Sequence, residues 1–154
     1  MGLDWAAVLW GGFIATVAAL FAFGALRAYG WLRYSPTILA GAVLIPHPER
    51  PHTDALGIAL TVLAGTTVIP SLYALLMEGV GWVGTLAGSL LGLVHGTAVL
   101  ALLPVYGRVS RGVRDQVIAP PGRFGRGWGW RSGAGLVAGH VLYGAVFGVI
   151  LGAF

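Results

Sequence analysis

Residues 82–106, WVGTLAGSLLGLVHGTAVLALLPVY, decide how this chain is read. The run is apolar from end to end, its interior holds one histidine, His95, and no charged residue, and Gly84, Gly88, Gly92 and Gly96 recur at intervals of four. At about 1.5 Å per residue, a helix of this length crosses a hydrocarbon core of roughly 30 Å with some tilt. Glycine at every fourth position cuts a smooth groove along one helix face. In lipid, such a groove lets a neighbouring helix approach closely and pack by van der Waals contact. The other apolar segments are therefore sought as partners for it.

Three more spans emerge. Residues 5–29 are flanked by Trp5 and Trp10 at one end and by Arg27, Tyr29, Trp31 and Arg33 at the other, the flanks of an interfacial belt. A cleaved signal peptide would need positive charge before its apolar stretch, whereas only Asp4 stands there, so the segment is read as a mature helix. Residues 55–77 carry Gly57, Thr61 and Gly65 on one face, and Pro70 breaks their backbone ladder; Thr66 and Thr67 stand one turn earlier to cover the freed carbonyl. Residues 77–81 make a tight turn holding Glu78. The last span, 133–154, carries Gly144, Gly148 and Gly152 at the same interval of four, with His140 four residues before them.

Composition agrees. The 154 residues are 57% hydrophobic and 9% charged, with 26 glycines and a mean hydropathy of +0.85. A soluble domain has about a quarter of its residues charged. The chain is expected to be all-α: a single integral membrane domain of four transmembrane helices, packed through Gly-xxx-Gly faces.

Between the first two spans, residues 36–46 are apolar but too short to cross, which suggests an interfacial or re-entrant half-helix. They are followed by Pro46-His47-Pro48-Glu49-Arg50-Pro51-His52, whose three prolines forbid regular helix. His47 and His52 with a glutamate between them form a candidate metal site, weighed against a polar turn at the membrane surface. Residues 107–132 collect Arg108, Arg111, Arg114, Arg123, Arg126 and Arg131 with Trp128 and Trp130, and a short amphipathic turn is expected near 109–117. This mixture suits anionic lipid headgroups or an acidic partner surface.

All nine basic residues are arginine, and counted by connection they belong to the first, with Arg27 at the adjoining end of its span, and to the third. With four spans these connections share a side, so the positive-inside rule puts both in the cytoplasm and both termini outside. Because the arginines flank apolar spans and form no basic patch on a soluble domain, nucleic acid is not an expected partner. Zero cysteines exclude disulfides, thiolate metal sites and cysteine nucleophiles.

His95 and His140 are the ionisable side chains set deep in the spans, and such residues are functional-site candidates by default. By the helical rise they lie roughly 16 and 10 Å from the cytoplasmic ends of their helices, so they are neighbours in depth. Three roles compete for them: a structural hydrogen bond worth about 0.6 kcal/mol, axial ligation of haem b, and proton transfer or quinone binding. No HExxH, GxSxG or P-loop is present, and Ser71 and Ser89 have no evident base.

At His140-Val-Leu-Tyr143-Gly144, followed by Gly148 and Gly152, the chain resembles a loose group of bacterial four-helix inner-membrane proteins with an H-x-x-Y-G-x-x-x-G last helix. Residues 72–76 and 88–95 are similar to the same group, while Ala55-Leu56-Gly57 stands where a histidine is expected. The resemblance implies a fold and a location, and no activity. The expected role is an accessory or scaffold subunit of a larger membrane complex, or of a homo-oligomer; the alternative is a haem b or quinone electron-transfer protein using His95 and His140.

Overall fold

The computed structural model describes residues 3–47 and 51–154, and among the described residues the structure is helical with no strand. In chain order the α-helices are α1 (Trp5–Ala28), α2 (Pro36–Gly41), α3 (Pro51–Leu63), α4 (Ile69–Val80), α5 (Thr85–Val109), α6 (Arg111–Arg114) and α7 (Trp130–Leu151). A π-helical turn, Ala64–Val68, joins α3 to α4, so Pro51–Val80 is one continuous helical run. Together with α1, α5 and α7 it makes four helices long and apolar enough to cross a membrane.

The first helix starts where the Asp4 carboxylate accepts the free amides of Ala6 and Ala7, at 2.9 and 3.2 Å. The second outruns its expected bounds of 55–77 at both ends. Pro51 occupies the first turn, where no N–H is required, so the proline-rich stretch stops opposing helix there. At the other end Gly81, at φ 66°, caps the helix, and the Trp82 amide bonds the Met77 carbonyl at 3.0 Å. The turn expected at 77–81 therefore falls beyond Val80.

Pro70 has no N–H for the carbonyl four residues back, and the disturbance is taken up just before it. The Ile69 amide reaches Ala64 O, five residues back, in the π turn. Thr67 Oγ1 donates to Leu63 O at 2.7 Å and Ser71 Oγ donates to Thr67 O at 2.6 Å. Thr67 thus bonds a different carbonyl from the one expected, Thr66 Oγ1 is buried with no hydrogen-bond partner among the described residues, and Ser71 supplies the second bond.

The third span is displaced toward the C-terminus relative to 82–106. Gly84 precedes α5 with φ 131°, a conformation open to glycine, so it belongs to the turn and not to the helix. The fourth begins at Trp130 instead of 133, which places Trp130 and Arg131 on α7 itself.

The chain divides into two compact units. Unit 1 comprises Met1–Ala22, Val62–Gly96 and Val137–Phe154. In it α5 and α7 run antiparallel with backbones nearly touching. A Cβ on Gly88 would land on the Gly144 carbonyl oxygen, one on Gly92 on the His140 carbonyl oxygen, and one on Gly148 on the Gly84 carbonyl oxygen. At Gly96 it would lie 3.0 Å from Val137 Cα. The same unit sets α1 against the π turn: a Cβ on Gly12 would strike the Pro70 ring, and one on Gly65 would strike Thr16 Oγ1.

Unit 2 comprises Phe23–Thr61 and Thr97–Leu136. Here α2, within the expected 36–46 segment, is capped by Ser35, whose Oγ accepts from Ile38 N at 3.2 Å. Gly57 and Gly41 bring α2 and α3 together: an added Cβ would meet Thr37 O in the first case and Thr53 O in the second. Thr37 Oγ1 donates to the Asp54 carboxylate at 2.7 Å. The segment after α5 is tied to 42–43 through Ser110 Oγ and the Gly112 amide, both donating to Ala42 O at 3.0 Å. The amphipathic turn expected near 109–117 is α6.

Candidate functional site

The two histidines of the spans meet in unit 1. Gly92 and Gly96 remove every side-chain atom that would hold α7 away at that level, and the imidazoles of His95 and His140 come edge to face with ring centroids 4.6 Å apart. Both rings are half-buried. Tyr73, on α4, is 3% exposed and shares a 3.2 Å hydrogen bond with His95 Nδ1, whose direction depends on the imidazole tautomer. Tyr143 lies one turn beyond His140 on the same face of α7. Its hydroxyl donates to Gly65 O in the π turn at 2.7 Å. The rings of Tyr73, Tyr143 and Phe147 pack among themselves at 5.8 to 6.5 Å between centroids.

The result is a polar file inside an apolar core: His140 against His95, His95 bonded to Tyr73, Tyr73 against Tyr143, and Tyr143 bonded to the carbonyl that the π turn leaves over. The hydroxyls of both tyrosines satisfy groups that would be costly to leave bare among helices. Neither tyrosine was singled out from sequence as a site residue. The signal for Tyr143 was present, since a tyrosine three residues after an intramembrane histidine shares its face. Tyr73 carried none, because its hydrogen bond to His95 joins two helices across 22 residues of chain.

A haem iron held by two imidazoles would have the porphyrin plane between them. Here the two rings touch, and α5 and α7 approach to backbone contact at Gly88, Gly92 and Gly144. These residues do not fit a bis-histidine haem in this arrangement. Ser71 and Ser89 spend their hydroxyls on carbonyls one turn back, Thr67 O and Thr85 O, and neither meets a base.

The candidate metal pair, His47 and His52, flanks the start of α3. His47 is half-buried, with its carbonyl accepting from Thr53 Oγ1, and His52 is exposed in the first turn of α3. Among the described residues no three His, Cys, Asp or Glu side chains gather as metal ligands; Glu49 lies outside the described residues.

Of the residues assigned to headgroups or a partner, Arg108, Arg111, Arg114, Arg123, Arg126 and Arg131 are all exposed. The two tryptophans differ. Trp130 is 72% exposed, whereas Trp128 is buried, donating from Nε1 to Ala119 O at 2.7 Å between the rings of Tyr34 and Tyr106. Trp128 therefore anchors the loop internally. The loop can afford this inward turn because Phe124 and Gly125 adopt positive φ and break the short 3₁₀ segment Arg123–Trp128. Comparison of the chain with protein-family models, curated proteins and solved structures finds no match.

Proposed function

We propose that this chain is a multi-pass protein of a bacterial cytoplasmic membrane, with both termini outside, that serves as a small accessory or scaffold subunit of a larger membrane assembly or homo-oligomer. The observation that carries this reading is the distribution of apolar surface. The run Pro51–Val80 keeps only 17% of its most apolar window inside the fold, against 44% for α1 and α7. Leu63, Val68, Leu72, Leu75 and Leu76 stand outward along it, a face for hydrocarbon or for another helix. The glycine ladders are read as membrane packing faces, because close backbone contact is how helices associate where the hydrophobic effect gives no help.

Charge supports the orientation. Along the chain the nine arginines fall in or beside the first and third connections, whereas Asp4 precedes the first span and Glu78 stands near the end of the second. In this reading the histidine and tyrosine file is internal glue. The contact between the imidazoles counts against the haem form of the electron-transfer alternative, and a quinone carbonyl would have to displace Tyr73 from His95.

The test is extraction from native membranes in mild detergent followed by native mass measurement. A subunit runs as a particle well above the 15.9 kDa chain with defined companions or copies, and His95→Ala leaves the particle intact. A lone monomer whose visible spectrum changes on reduction, with the change lost in His95→Ala, would sink the subunit reading.

A further inference from the structure

Unit 2 contains a cleft of about 460 Å³, lined among others by Gly30, Trp31, Arg33, Trp130, Arg131 and Ser132, where the chain leaves α1 and where α7 begins. We propose that this cleft binds the phosphate of an anionic phospholipid headgroup. The inference rests on the membrane reading above.

The cleft is built by specific bonds. Ser132, 3% exposed, accepts the Arg33 amide at 3.2 Å on Oγ, and the same oxygen lies 3.0 Å from Trp128 O and 3.2 Å from Trp31 O, to either of which it donates. Residues 31–33 and 130–132 are thereby fastened to each other. Trp31 and Trp130 form a wall, edge to face with ring centroids 6.1 Å apart, and the Arg131 guanidinium lies 5.8 Å from the centre of the Trp130 ring. Arg33 also lines the cleft, and its guanidinium lies 5.8 Å from the centre of the neighbouring Tyr34 ring. Neither guanidinium has a carboxylate partner among the described residues.

Two guanidinium groups carried by residues that line one cleft repel each other, and an anion bound between them would offset that repulsion. Guanidinium presents forked N–H donors that match a phosphate's oxygens, and exposed indoles are the side chains that settle at headgroup depth. The ends of two long apolar helices are where a phosphate of the bilayer stands. The volume takes a headgroup and leaves the acyl chains to the surrounding hydrocarbon. Charge complementarity thus selects an anionic lipid over a zwitterionic one, whose own cation would face the two arginines.

The experiment is native mass spectrometry of the full chain in detergent, titrated with phosphatidylglycerol or phosphatidylcholine. The wild type is expected to retain phosphatidylglycerol preferentially. With each surface arginine worth roughly fivefold, Arg33→Gln weakens that lipid by about fivefold and the Arg33→Gln/Arg131→Gln pair by about 30-fold, with phosphatidylcholine unchanged. Arg27→Gln removes one charge outside the cleft and is expected to cost less than about twofold. Equal losses from Arg27→Gln and Arg33→Gln would overturn the site in favour of diffuse charge attraction. Displacement of phosphatidylglycerol by millimolar inorganic phosphate would overturn it in favour of a free anion. Unaltered helical circular dichroism checks each variant's fold. Lipid retention with no headgroup preference would reject the cleft while leaving the membrane reading standing.

Discussion

At the scale of single residues, the glycines sort into those that make contact and those that do not. Gly88 has no room for a methyl group, because the Gly144 carbonyl occupies the place where its Cβ would be, and that neighbour is backbone that cannot rotate away. Gly24, in α1, has no heavy atom within 4 Å of such a Cβ. Gly88→Ala is therefore expected to destabilise the fold by about 1–3 kcal/mol through overpacking, and Gly24→Ala to be neutral or slightly stabilising through helix propensity. Unfolding in a denaturing-detergent titration checks both. Equal behaviour of the two variants would show that the approach of α5 to α7 is not close. The seven glycines picked out by spacing were legible as a class, yet their roles were not: Gly84 is a turn residue with positive φ whose carbonyl, not its hydrogen face, meets Gly148.

At the scale of an element, the run Pro51–Val80 shows how a proline is absorbed. A helix that simply lost one bond at Pro70 would leave a bare carbonyl; the π turn redistributes the loss, and Thr67 and Ser71 cover two carbonyls from the side. Removing both hydroxyls in Thr67→Val/Ser71→Ala is expected to cost roughly 1 kcal/mol in total. The cost should appear as faster amide exchange over residues 64–71 with α7 unaffected. Exchange that rises uniformly, or not at all, would show that the hydroxyls are not what steadies the turn. Sequence revealed that Pro70 disturbs the helix, because the missing N–H is a property of the residue. It did not reveal a π turn, because a kink, a 3₁₀ segment and an extra residue all answer the same missing bond.

At the scale of the whole molecule, the absence of cysteine makes the orientation directly measurable. Leu3→Cys and Phe154→Cys, made singly, are expected to react with a membrane-impermeant maleimide applied to intact cells, while Arg123→Cys reacts after the membrane is permeabilised. The reverse pattern would invert the topology, and labelling of all three from outside would reject it. Expectation and structure agree on four long apolar helices, since length and hydropathy are local sums that any 25-residue window reports. They agree less at the ends, where caps decide: Gly81, Gly84 and Pro51 each moved a boundary by several residues.

What the sequence determined by itself was the helical class, the number of long apolar segments, the gathering of arginine in two connections and at the helix ends beside them, and the periodic glycine spacing. All are set by residue chemistry along a single stretch. The tertiary structure decided which glycine meets which carbonyl, that His95 and His140 touch and so leave no space for a haem between them, that Tyr73 and Tyr143 complete their file, that Trp128 turns inward, and that Arg33 and Arg131 share a cleft. Each of these is a relation between segments distant in the chain. It depends on the rotation and register of one helix against another, to which a π turn or a capped end contributes as much as any side chain.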